Sequence, residues 1–475
     1  MVDQRRFDNQ RSIIAAEEKW VDSRTAAKHL GIQQRSLYAY VSRGQVRSIA
    51  GGRGRPRMYS LMDLERLRVR RDARAGHGAV AAGALRWGEP VLDSAITAIT
   101  PRGPAYRGHL ALDLAARGTR FENVAELLWS GQLPDQAVTW PRTALPIAQL
   151  GKLIPYGAGP LDVMQLIVRV AALGDPTRDD SRPDAIIARG RALIPLLAGS
   201  LAVDFAPAHV MRAVGAATVA EIAARALGLD DDSAGILDVA LVVFADHELN
   251  ASSFATRVAA STDADAYACM SAALATVSGS RHGTAAELLS RFADEVGAPD
   301  KARSAVRALK KKGISPPGFG HPLYPHGDPR ALPLLDIARR YAEGTRAATA
   351  KRARTILAIA DEVAAFERDA KSSHRGANAT SSAGADTRSS RRGANATSSA
   401  KVRTTDTMVD VAPAAHPSAD VGLAALIAAL GVQPPAGSGL FALARSAGWL
   451  AHVLEQRAAG FLLRPRARYT GVPVT

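Results

Sequence analysis

Cysteine is nearly absent from this chain of 475 residues: Cys269 is its only thiol. No intrachain disulfide framework is possible, which suits a reducing compartment. Aromatic residues are 5% of the chain, few for its length, whereas apolar residues make up 47%. Alanine recurs throughout, and an Ala- and Leu-rich composition with few β-branched or aromatic side chains favours helices over strands. The N-terminus, MVDQRRFDNQR, lacks the apolar stretch of a secretory signal. The longest apolar runs, such as VGLAALIAALGV from Val421 to Val432, are too short to span a bilayer. A soluble, cytoplasmic protein with no membrane partner is expected. There is no CxxC pair or HExxH, which argues against a metal site. The lack of a P-loop, or of a GxGxxG after a strand, argues against nucleotide hydrolysis and hydride transfer.

What is present is unevenly placed. The net charge is +15. Residues 1–80 hold 17 basic and 8 acidic residues (+9), and residues 368–404 hold 8 and 2 (+6), so the remainder is neutral. A localised basic stripe points to a polyanion partner, whereas a diffuse excess mainly serves solubility. Between these stretches runs a series of apolar helical segments punctuated by GQLP (Gly131 to Pro134), PYGAGP (Pro155 to Pro160) and SPPGFG (Ser315 to Gly320). RGANATSSA occurs twice, at Arg375 to Ala383 and Arg392 to Ala400. Such Ser-, Ala- and Gly-rich sequence buries too little apolar surface to offset its ordering entropy, so residues 369–410 are expected to be disordered.

Four segments differ from ordinary core. ADHELNASSF (Ala245 to Phe254) groups His247, Glu248 and Asn250 after an apolar run. SGSRHG (Ser278 to Gly283) sets His282 in a Gly-flanked turn. PPGFGHPLYPHGDPRA (Pro316 to Ala331) carries His321 and Arg330 on a Gly/Pro-rich loop. Near the end, Arg445 interrupts GLFALARSAGWLAHVL, and Arg464 follows in LRPRAR. Each alone has a structural reading: a satisfied core histidine, a buried ion pair, a solvated tail. Together, histidines on Gly-rich turns and several arginines describe a site for a small anion with more than one carboxylate. The planar guanidinium fork suits carboxylates.

These segments resemble, in order and approximate spacing, the citrate synthase family. AYRGHLALDLA (Ala105 to Ala115) and FENVAELLWSGQLP (Phe121 to Pro134) fit its entry region. The resemblance implies an all-α fold of large and small helical domains. The large domain would comprise residues 90–282 and 417–475, and the small domain 283–416, containing the insertion. It further implies condensation of acetyl-CoA with oxaloacetate to citrate and CoA, with acyl-CoA as substrate and no cofactor. Asp420, in HPSADVG, would remove a proton from the thioester methyl group. His282 would hydrogen-bond the thioester oxygen, and His321 would polarise the oxaloacetate carbonyl. His247, Arg330, Arg445 and Arg464 would hold the carboxylates. Homodimers are implied too, with Arg464 reaching the neighbouring subunit's site. The chain departs from the family at Ala286, where an Asn is usual, and at Pro325, where a basic residue is expected. Two alternative readings are a 2-methylcitrate synthase using propionyl-CoA and a DNA-binding regulator that senses metabolites without turnover. The other histidines and Cys269 are expected to be structural or solvent-facing.

After a tail of residues 1–19, residues 20–75 resemble a MerR-like or excisionase-like winged helix-turn-helix, followed by a linker, 76–89. Gly31 would supply the turn, Gln33 to Ser36 would open the recognition helix, and GGRGRPRMYS would form the wing. From Arg24 to Arg57 there are eight basic residues and no acidic one. Duplex DNA is therefore a candidate partner, through Arg35, Arg43, Arg53, Arg55 and Arg57.

Overall fold

The computed structural model describes residues 20–30, 32–42, 46–49, 57–61, 63–64, 67, 92–141, 147–155, 157–202, 207–344, 348–380 and 416–465. The chain divides into two units, one before Ser94 that also includes the C-terminal residues from Pro465, and one from Ser94 to Arg464.

The first unit begins with β1 (Trp20–Asp22), α1 (Ser23–Leu30) and α2 (Gln34–Ser42), followed by β2 (Ser48–Ile49) and β3 (Met58–Ser60). The strands form an antiparallel sheet in the order β1-β3-β2. Asp22 starts α1 by accepting the Thr25 N–H at 2.7 Å, the capping contact expected of a short acidic side chain. Ala26, Leu30, Leu37, Val46, Tyr59 and Leu64 form a separate small core. A core of this size is marginal, and a polar clamp supports it. Buried Asp63 accepts the Arg47 backbone N–H at 3.0 Å and its Nε–H at 2.8 Å. Gln33, Gln34 and Arg35 are exposed at the start of α2, and Arg57 is exposed just before β3. Gly31, Arg43, Arg53, Arg55 and the 50–56 loop lie outside the described residues.

The second unit opens with an antiparallel meander of β4 (Thr97–Thr100), β5 (Gly103–Tyr106) and β6 (His109–Leu110). Helices follow: α3 (Ala111–Ala116), α4 (Phe121–Ser130), α5 (Ile147–Leu153), α6 (Pro160–Gly174), α7 (Pro183–Gly199), α8 (Pro207–Val214) and α9 (Val219–Ala226). Then come α10 (Ala234–Phe244), α11 (Ala251–Ser261), α12 (Ala266–Val277), α13 (Ala285–Val296) and α14 (Ala302–Lys311). Last are α15 (Ala331–Gly344), α16 (Ala348–Thr380), α17 (Ala419–Ala429) and α18 (Pro435–Ala459). A single hydrophobic cluster runs through the unit. At its centre is α18, buried along almost its whole length and packed against α4, α6, α7 and α10 to α13. Gly448 permits a close approach: an added Cβ there would lie 2.6 Å from the Ala245 carbonyl oxygen. Cys269 is fully buried in α12, and burial pushes its thiol up to about 12. Among the described residues, no helix is long and apolar enough to cross a membrane.

Two placements bear on the expected boundaries. Residue 417 was to mark the return to the first group of helices, yet α17 packs against α13, α15 and α16. The return therefore comes after α17. An apolar helix joins the layer that covers it, and the sequence pattern does not say which layer that is. Residues 369–380, expected to be disordered, continue α16 to Thr380. Extending a nucleated helix costs far less than starting one. Residues 381–410 lie outside the described residues.

Candidate active site

Three of the four polar segments sit at helix ends, and the fourth presents Arg445 from the middle of α18. His247 lies in the turn between α10 and α11, where Glu248 adopts a left-handed φ of 55°. Asn250 ends the turn and caps α11, its Oδ1 accepting the Ser252 and Ser253 N–H groups, both at 3.1 Å. His282 lies between α12 and α13, its amide donating to the Gly279 carbonyl at 2.9 Å. The GFGH loop folds onto the start of α17. Gly320 N–H donates to His416 O at 2.8 Å, and Ser418 N–H donates to Gly318 O at 3.1 Å. Gly318 and Gly320 both have φ of +81°, which a side chain would strain. This pairing brings His321 to the end of the helix that carries Asp420.

The oxaloacetate candidates form one buried group. The rings of His247 and His321 are 5.3 Å apart, and Tyr324 hydroxyl lies 3.0 Å from His247 Nε2. Arg330 makes a bidentate pair with Asp328, at 3.0 Å from Nε and 2.8 Å from Nη2. The second Asp328 oxygen also accepts the Ala419 N–H at 3.0 Å. One buried carboxylate thus orients the Arg330 guanidinium and anchors the backbone next to Asp420. Arg445 is 2% exposed, donates from Nε to Phe244 O at 2.8 Å and lies 4.8 Å above the Phe441 ring. Burial pushes it down to about 10, so it stays charged at neutral pH. Behind His247, fully buried Asp246 lies 3.4 Å from His452 Nε2. Burial alone would raise this carboxyl, but His452 and Arg445 outweigh that effect and hold it below its ordinary value.

On the other side, His282 Nε2 lies 2.9 Å from Ser252 Oγ. That oxygen also accepts from Trp449 Nε1 at 3.0 Å and approaches Asn250 Oδ1 at 2.7 Å. Trp449 can only donate, so the single hydroxyl proton has two acceptors to choose from, Asn250 Oδ1 and His282 Nε2. Given to Nε2, it places the imidazole proton on Nδ1. Asp420 sits in the first turn of α17, 3.2 Å from Ser418 Oγ, and burial raises its carboxyl against the pull of Arg330.

Burial, aided by Arg445 and Arg330 respectively, lowers His282 and His321 to about 4. The same causes hold His247 well below its ordinary value. All three are neutral imidazoles near pH 7. The sign for stability follows. Between pH 6.5 and about 4 the unfolded chain binds protons that the folded chain excludes, so stability falls as the solution is acidified. Asp238, which burial raises to about 7, opposes part of this loss, so the histidines are read by difference in melting temperature between pH 7 and 5. His282→Gln, which removes one titrating group, should flatten that dependence in a calorimetric pH series.

Arg464 is exposed after α18, and no hydrogen bond, ion pair or ring contact joins it to the cluster among the described residues. The other candidates gather around the two buried arginines: Arg445 acts electrostatically on both His282 and Asp420, and Arg330 on Asp420 and His321. Sequence reasoning missed Ser252, Tyr324, Asp328 and Phe441. Asp328 alone had a local signal, its position two residues before Arg330.

Residues 84–384 and 385–466 match the model of "Citrate synthase, C-terminal domain". The chain belongs to the citrate synthase family. Residues 22–79 match the model of "MerR HTH family regulatory protein". Among curated relatives, 2-methylcitrate synthase of Mycobacterium tuberculosis is 26% identical over 395 residues, covering 80% of this chain and 88% of that protein. Citrate synthase of Mycolicibacterium smegmatis is 25% identical over 397 residues, covering 80% and 92%. Citrate synthase 2 of Bacillus subtilis is 31% identical over 232 residues, 49% of this chain and 50% of that one. Citrate synthase from Thermoplasma acidophilum, solved with carboxymethyl coenzyme A and oxaloacetate, superposes with a TM-score of 0.63 at 20% identity, over 83% of this chain and 97% of that one. That likeness establishes the citrate synthase fold.

Proposed function

We propose that this chain condenses acetyl-CoA with oxaloacetate to give citrate and CoA. The observation that carries this reading is the meeting of Asp420 and His282 with the buried His247–His321–Arg330–Arg445 cluster. Binding a dicarboxylate needs the arginines, but only carbon–carbon bond formation needs the base. Asp420, made more basic by burial, takes a proton from the thioester methyl group. With its proton on Nδ1, His282 donates to the thioester oxygen as negative charge develops there. The resulting carbon attacks the ketone of oxaloacetate, polarised by His321. As the new bond forms, the ketone oxygen takes a proton from His321, which the proton held by Asp420 restores through solvent. Water then cleaves the thioester, and CoA leaves as the thiol. Arg330 Nη1 and the Arg445 fork take the oxaloacetate carboxylates with His247, and Arg464 completes a partner's site in a homodimer. A free-thiol assay on the purified chain tests the reading. CoA release should require both oxaloacetate and acetyl-CoA; no release with any short acyl-CoA would sink it.

The N-terminal unit is proposed to bind duplex DNA, with α2 in the major groove. Arg35 and Arg57 are exposed on it, and Arg43, Arg53 and Arg55 complete the basic set. Phosphate contacts release counterions, so affinity should fall about 10³-fold between 50 and 200 mM salt if all these arginines engage. Arg35→Ala with Arg57→Ala should lower the slope of that dependence by about 2. Anisotropy on genomic fragments measures both. Binding no tighter than that of a chain starting at residue 85 would leave the unit as a protein-contact module.

A further inference from the structure

Phe441 lies on α18, 6% exposed. Its ring meets two of the groups assigned to opposite substrates. The Arg445 guanidinium lies 4.8 Å over its centroid, and the His282 imidazole is edge-on at 5.9 Å and 81°. Phe244 packs against it at 5.6 Å and in turn lies 5.8 Å below the Arg330 guanidinium. The two arginines thus rest on an aromatic pair, and within that pair Phe441 is the ring that contacts His282. Under the reading above, His282 marks the thioester and Arg445 the oxaloacetate, so the reacting carbons meet beside this ring. Any substituent larger than hydrogen on the nucleophilic carbon has to be accommodated there too. Gly437, one turn earlier, has no side chain, and an added Cβ would lie 3.6 Å from the Cβ of Ala286.

We propose that Phe441 is the specificity-determining residue that limits the length of the acyl group. The inference rests on the assignment of His282 and Arg445 to the two substrates. Full-length Phe441→Leu and Phe441→Ala are compared with the parent for kcat/KM on acetyl-, propionyl- and butyryl-CoA at saturating oxaloacetate. Loss of the ring under Arg445 should raise the oxaloacetate KM alike for every thioester, and saturation removes that effect. The propionyl-to-acetyl ratio should rise about 10-fold or more, the range that one methylene commands in an apolar site. Turnover of butyryl-CoA should become measurable. Phe441→Trp should move the ratio the other way, and it decides the matter with Phe441→Leu if the alanine variant does not fold. A ratio within about twofold of the parent in active Leu and Trp variants would overturn the proposal alone. A parent that releases no CoA from any of the three would overturn the condensation reading and this inference with it.

Discussion

Asp420→Asn is expected to lower kcat by about 10³-fold, within the range that a positioned general base contributes. The side chain keeps its size, and its amide still reaches Ser418 Oγ, which lies 3.2 Å from the present carboxylate. The start of α17 is anchored separately, by the Ala419 N–H on Asp328. Helix position and the oxaloacetate cluster should therefore survive, and the dissociation constant of oxaloacetate, measured by calorimetry, should change less than about threefold. The asymmetry between lost turnover and retained binding is diagnostic. Near-parental turnover would remove Asp420 from the role of base. Loss of oxaloacetate binding in proportion to turnover would make it a structural residue.

The second large effect belongs to Arg445→Lys. An ammonium keeps the charge that Asp246 faces but loses the planar fork that spans Phe244 O and the substrate side. It also loses the broad contact with the Phe441 ring. A charge-assisted hydrogen bond of about 1.5–3 kcal/mol corresponds to a rise in oxaloacetate KM of roughly 10- to 150-fold. The KM for the acyl-CoA should move little, because Arg445 faces the other substrate. An unchanged oxaloacetate KM would show that the carboxylates lie elsewhere. The lysine variant is more informative than alanine, which would leave the fully buried Asp246 without one of its compensating cations and confound binding with folding.

The sequence by itself determined the fold class and the family, and it singled out the polar segments that the packing then gathers. An Ala- and Leu-rich chain punctuated by Gly and Pro leaves few options besides helices. A motif such as GFGH is legible because tight turns demand particular residue types at fixed local spacing. The departures at Ala286 and Pro325 were legible only against the family resemblance. What only the tertiary structure decided were relations across long sequence separations. Ser252 and Trp449, 197 positions apart, share the hydrogen-bond set of His282. Asp328 reaches Ala419, 91 positions on, and through it the base. Phe441 looks like one more apolar residue of a buried helix until its ring is found between His282 and Arg445. The same holds for α17, whose uniformly apolar sequence is compatible with either group of helices and whose packing chose one. Local spacing encodes turns, caps and pairs within a few residues of one another. The protonation of a buried imidazole, or the shape of the wall beside a reacting carbon, depends on which distant groups the packed core brings within about 3–6 Å, where hydrogen bonds and ring contacts act.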